Sequence, residues 1–215
     1  MRGISPTFSN GAPPWPRIAT SNAMRRNSLL EAAHGCVAEL LADGGLALDA
    51  TLGNGHDAVF LAQRVGAGGK VYGFDIQPQA LLNTRARLLE AGLDGRALLI
   101  LDNHANLLNH IPAALYGRFR AAMFNLGYLP GGDKSLITRY DTTLTAVEAA
   151  CRLLAAPGAM TVMAYPGHAG GGRETEALSA FCGRIGAMPG FTMECLRGED
   201  GRNASPRLFI IRRTG

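Results

Sequence analysis

The chain is poor in charge. Asp, Glu, Lys and Arg make up 18% of its 215 residues against 47% hydrophobic residues, enough apolar material for one sizeable core and, at this length, one domain rather than two. No stretch approaches the roughly 18 unbroken apolar residues of a membrane span, and no charged, apolar and small-residue series marks a secretory signal. No membrane association is expected, and the expected address is cytoplasmic. Cysteine is sparse too: Cys36, Cys151, Cys182 and Cys195 lie far apart, with no CxxC and no Cys/His spacing that suits zinc. That pattern predicts reduced core thiols and implies neither a disulfide scaffold nor a metal. Acidic residues are missing altogether before Glu31, where residues 1–23 hold Pro6, Pro13, Pro14 and Pro16 among Gly, Ser and Asn. A disordered leader is expected there. It reads as a native leader, a start upstream of Met24, a weak transit-peptide pattern or, through Ser21 to Met24, a cloning remnant; the folded domain is expected over 24–215. Net charge is +4 and the isoelectric point about 9.1. This balance leans towards a polyanionic partner such as RNA, although no long basic run is present.

What the chain does have is alternation. Asn27 to Gly45, "NSLLEAAHGCVAELLADGG", carries a polar cap candidate, helical apolar spacing and a Gly-Gly stop, which predicts a helix ahead of the sheet. Short apolar runs then follow: "LALDATL", "KVYGFDI", "ALLILDN", "AAMFNLGY" and "AMTVMAYP", with helix-like stretches such as "PQALLNTRARLLEAG" and "LITRYDTTLTAVEAACRLLAAPG" between them. Nearly all-apolar strands separated by helices predict a parallel sheet covered on both faces. The last two runs, "FTMECLR" and "RLFIIRR", lack a long helix between them and predict an antiparallel hairpin at the sheet edge. The fold class is therefore α/β, with a mostly parallel seven-stranded sheet; five α/β units followed by a terminal hairpin resemble the Rossmann-like class I methyltransferase fold.

In such a sheet, ligands sit beyond the carboxyl ends of the strands. The first strand runs into "DATLGNGHDA", where Gly53 and Gly55 allow a close backbone approach. The pattern satisfies G-x-G-x-x-G/A, and Asp75 follows at the spacing of a ribose-binding acid. Taken singly, a glycine pair makes a tight turn and a strand-terminal Asp caps a helix; their order along successive strands makes a ligand site. Asp49, just inside the strand end, would repel a pyrophosphate and suits the ammonium of a methionine moiety, which favours S-adenosylmethionine over a dinucleotide. The candidate cofactor-binding positions are Asp49, Thr51, Gly53, Asn54, Gly55, Asp57, Asp75, Gln77, Asn103 and His104, the last two placed by "LDNH" near an adenine edge.

The fourth strand ends in "FNLGYLPGGDK". Asn125-Leu126-Gly127-Tyr128 resembles the [Asn/Asp]-Pro-Pro-[Tyr/Phe] motif of amino-group methyltransferases, its two prolines replaced. An amide oxygen and a carbonyl can accept the hydrogens of an amine while an aromatic face holds the adjoining group. Asn125 and Tyr128 are the candidates for this work, and Asp133 and His168 are candidates, from position alone, for taking the proton. "PGHAGGGRE" after the fifth strand reads as a mobile lip, and Glu174 as its anchor or the start of the next helix.

Together "DATLGNGHDAVFLA", "FDIQ", "NH", "FNLGYLPGGDK" and "YPGH" followed by Glu174, with His34 in the first helix, resemble the YtqB/MnmM-type class I methyltransferases, a family long labelled rRNA methylases. The resemblance covers the chain from about Asn27 to its end; at "RNASPRLFII" Asn203 and Pro206 follow the family pattern and Ser205 departs from it. It implies S-adenosylmethionine-dependent N-methylation of 5-aminomethyl-2-thiouridine at the tRNA wobble position. tRNA is the implied partner, and a homodimer is left open. An rRNA base methyltransferase, a small-molecule amine methyltransferase, an NAD-linked dehydrogenase and a non-catalytic RNA-binding module are the competing readings.

Overall fold

The computed structural model describes residues 26–127, 140–167, 171–198 and 205–215. Helix α1 (Arg26–Ala38) precedes β1 (Leu46–Asp49), α2 (His56–Arg64), β2 (Lys70–Asp75), α3 (Pro78–Glu90) and β3 (Ala97–Leu101). Then come α4 (Leu107–His110), β4 (Phe119–Asn125), α5 (Tyr140–Leu153), β5 (Leu154–Ala164), α6 (Gly171–Gly186), β6 (Phe191–Arg197) and β7 (Arg207–Arg213). The strand order is β3-β2-β1-β4-β5-β7-β6. β1 to β5 run parallel, and β7 enters antiparallel between β5 and β6. The expected α/β sheet with its terminal hairpin is present, and β6 forms the edge.

β1, β2, β4, β5 and β7 bury residues on both faces, as their apolar runs predict, whereas the edge strands β3 and β6 are only partly covered. Leu48, Phe74, Phe124, Met160, Val162 and Phe209 pack with Val147 and Leu153 of α5 and Leu178 and Cys182 of α6. On the other face Ala47, Val71, Ala121, Met163 and Ile210 pack with Leu29 and Val37 of α1, Leu61 of α2 and Leu88 of α3. The alternation Ala47/Leu48 and Phe209/Ile210 divides neighbouring residues between the two layers, the period-two geometry of a strand. Cys36, Cys151, Cys182 and Cys195 are all free thiols. Burial pushes the thiols of Cys151 and Cys182 up to about 12.

Three boundaries differ from the sequence expectation. α1 ends at Ala38, short of the predicted Gly45. The helix predicted to run through "LLAAPG" stops at Leu153, and β5 starts at once with Leu154. Leu154 pairs with Phe119 of β4 and is fully buried; sheet pairing and burial override helical periodicity there, and Pro157 could not have continued the helix. Gly171 and Gly172 open α6, so the distal part of the expected lip is helical, and Glu174 lies in the first turn of that helix. Among the described residues no helix is long and apolar enough to cross a membrane.

Candidate active site

The turn after β1 is tied to the strands on either side. The Ala50 N–H donates to the Met123 carbonyl of β4 at 2.9 Å, and the Leu52 N–H to the Phe74 carbonyl of β2 at 3.0 Å. Gly53 and Gly55 then adopt φ of 51° and 82°, the left-handed region where a side chain is strained. At Gly55 a Cβ would also lie 2.7 Å from Thr84 Cα of α3. The glycine turn therefore brings α2 and α3 together at the carboxyl edge of the sheet, where the sequence placed a ligand.

Two carboxylates are fixed by that turn. Asp75 accepts the Gly53 N–H through Oδ2 and the Gln77 N–H through Oδ1, each at 3.0 Å. Both oxygens keep further lone pairs, suited to vicinal hydroxyls. Asp49 accepts the Thr51 N–H through Oδ1 at 3.1 Å, while its fully buried Oδ2 has no partner. Burial above all, with the charge of Asp57 next, raises its carboxyl well above the usual range, and the Thr51 N–H offsets this in part. An orphaned buried acceptor of this kind is costly until a donor completes it.

Several of the other predicted residues are engaged within the protein. Asp57 Oδ1 meets His34 Nε2 at 2.7 Å, and the His34 ring stacks on Phe60 with centroids 3.9 Å apart. Asn54 Oδ1 accepts the Asn83 amide at 2.9 Å. Asn103 caps the short helical turn that follows it by accepting the Ala105 N–H. Gln77 is the buried residue ahead of α3. His104 is buried, with Nδ1 3.1 Å from the Ala50 carbonyl and Nε2 without a hydrogen-bond partner. The carbonyl requires the hydrogen on Nδ1, and burial lowers the imidazole's basicity. The His104 ring packs beside Phe124, with centroids 6.0 Å apart. The neighbouring Asp102 is held below the usual carboxylate range, first by His110 and then by Asn106.

The sequence reading did not single out Ile76, which directly follows Asp75 and is 43% exposed, an apolar side chain beside that carboxylate. The available signal was its position, an apolar residue just past a strand-terminal Asp. Asp49 with its free acceptor, Asp75 with its fixed carboxylate and exposed Ile76 form a set that fits S-adenosylmethionine, which carries an ammonium, ribose hydroxyls and a flat ring.

The second constellation adjoins the first. At the end of β4 the Asn125 N–H donates to the Thr51 hydroxyl at 2.7 Å, and the Leu126 N–H to the Met163 carbonyl of β5 at 2.9 Å. Gly127 has φ of 145°. Beside this turn lies a small cleft lined by Leu126, Gly127, Tyr140, Leu144, Tyr165 and Thr175 among others. Its walls are largely apolar and aromatic. Tyr128, Asp133 and His168 lie outside the described residues. Among the described residues no group of three or more His, Cys, Asp or Glu is arranged to hold a metal ion.

A family described as "Putative rRNA methylase" matches residues 71–212. The chain is 39% identical over 164 residues to the tRNA (mnm(5)s(2)U34)-methyltransferase, chloroplastic, of Arabidopsis thaliana; the match takes in 73% of this chain and spans 59% of that protein. Among solved structures, a "putative rRNA-methylase" from Clostridium thermocellum is 37% identical with a TM-score of 0.79, covering 86% of this chain and 96% of that one. A "putative methyltransferase" from Streptococcus mutans, solved in complex with SAH, is 34% identical with a TM-score of 0.74, covering 86% and 97%. The O-methyltransferase TomG of Streptomyces achromogenes, at 12% identity, with a TM-score of 0.67 and coverage of 90% of this chain and 82% of its own, shares the fold alone.

Proposed function

This chain belongs to the rRNA methylase family, and from that premise we propose that it is an S-adenosylmethionine-dependent N-methyltransferase acting on RNA. The acceptor proposed is 5-aminomethyl-2-thiouridine at the tRNA wobble position, and the product its 5-methylaminomethyl form. The Arabidopsis relative's name supports that acceptor. The observation that carries the reading is the bond from the Asn125 N–H to the Thr51 hydroxyl, which joins the acceptor motif to the cofactor turn.

In this reading Asp49 completes its free acceptor on the ligand ammonium, directly or through water, Asp75 takes the ribose hydroxyls, and Ile76 packs on the adenine. When bound, S-adenosylmethionine supplies an electrophilic methyl group on a sulfonium. The remaining work belongs to the chain. An alkyl amine resembles lysine, with a reference pKa of about 10.4, and is mostly protonated at neutral pH. The apolar cleft lowers that value by withdrawing water from the ammonium. The Asn125 side-chain oxygen and the Leu126 carbonyl then hold the remaining N–H groups and fix the lone pair. Tyr128 is proposed to stack on the base, and either Asp133 or His168 to take the proton.

The test is methyl transfer from labelled cofactor to tRNA from cells lacking this protein, followed by nucleoside mass spectrometry. The expected result is one added methyl on 5-aminomethyl-2-thiouridine. Transfer to ribosomal RNA in place of tRNA would refute the acceptor and keep the chemistry.

A further inference from the structure

Arg197 and Arg207 form a pair at the rim of the acceptor cleft, and we propose that they hold the sugar-phosphate backbone of the RNA next to the reacting nucleotide, with Glu176 occupying the phosphate position in the free protein. The inference rests on the RNA reading above and adds a contact surface to it.

The topology places both arginines at the reacting end of the sheet. Arg207 begins β7 opposite Ala164, the last residue of β5, and Arg197 ends β6 opposite Arg207. Ala164 and Tyr165 line the cleft. The Gly198 N–H donates to the Pro206 carbonyl at 2.8 Å, continuing the ladder one pair beyond the arginines. Directly opposed residues project to one face, here the face that Cys195 and Phe209 share with α6.

The charges are arranged for an anion. Arg207 Nη2 lies 2.7 Å from Glu176 Oε1, with side-chain exposures of 13% for the arginine and 68% for the glutamate. The charge of Arg197 also acts on Glu176, and Arg197 is itself exposed. Two guanidinium groups thus face one carboxylate, leaving net positive charge. Glu176 follows Thr175, which lines the cleft. A phosphate offers the oxygen geometry that an arginine fork takes from a carboxylate. Exchange is easy because Glu176, the partner to be displaced, is exposed, which keeps its ion pair weak. All but two of the chain's 21 cationic residues are arginines, the side chain suited to such contacts.

The experiment measures affinity of the full chain for tRNA across a salt series, with cofactor binding as a check on the fold. Arg197→Ala should weaken tRNA binding by about five- to ten-fold at 0.1 M salt and reduce the log-log salt slope by about 0.7–0.9. Arg207→Lys, which keeps the charge and spares the packed stem, should lose less. Glu176→Gln should tighten binding by about two- to five-fold, which a purely structural Arg207–Glu176 pair would not do. Unchanged affinity and slope in Arg197→Ala and Glu176→Gln, with wild-type binding intact, overturn the arginine contact and spare the RNA reading. Failure of the wild type to bind tRNA at low salt overturns both.

Discussion

The Thr51 hydroxyl accepts the backbone N–H of Asn125 at 2.7 Å across 74 positions of sequence. It thereby fixes the end of β4 against the glycine turn after β1. A donor in this half-buried position without its acceptor costs about 1–3 kcal/mol. Thr51→Val, nearly isosteric but without the hydroxyl, should lose stability of that order in denaturant unfolding, and Thr51→Ser should recover most of it. Equal stability of the valine variant and wild type would mean that water replaces the hydroxyl.

Asn125 tests the division between cofactor and acceptor. Asn125→Ala removes the side-chain oxygen and leaves the backbone tie in place. Turnover should fall by about 100-fold, the cost of a misplaced reactant, while calorimetric cofactor affinity stays within about two-fold. An equal loss of both would refute the amine-holding role.

Asp49 gives a pH signature. Its carboxyl is raised in the folded state, chiefly by burial and then by the charge of Asp57. The contribution of such a group is fully present below its unfolded value of about 3.9 and is lost as pH rises through the folded value. Asp49→Asn should therefore match wild-type stability near pH 3.5 and exceed it at neutral pH in the absence of cofactor, while binding cofactor more weakly. Thermal unfolding from pH 3.5 to 8 measures the difference; parallel curves for the two proteins would sink the idea.

Gly55 is a conformational test. Its φ of 82° and the 2.7 Å approach that a Cβ would make to Thr84 Cα add left-handed strain to overpacking. Gly55→Ala should lose about 2–4 kcal/mol in urea unfolding and weaken cofactor binding by opening the gap between α2 and α3. A small shift in midpoint would show that α3 yields easily.

The sequence by itself determined the strands, the glycine turn and the terminal hairpin, because each is written in neighbouring residues: apolar runs, a G-x-G pattern and a missing crossover helix. Asp75 was legible for the same reason, as an acid ending a strand. Tertiary structure alone decided the rest. His34 meets Asp57, Asn54 meets Asn83, and Thr51 meets Asn125 because chain crossovers bring distant segments together. His104 carries no local mark of burial, yet the turn after β3 buries it against the Ala50 carbonyl. Leu154 sits at the end of a helical pattern and becomes strand because Phe119 stands opposite it. Periodicity assigns a residue to a face, but the partner it meets depends on strand order and register, which arise only when the sheet assembles.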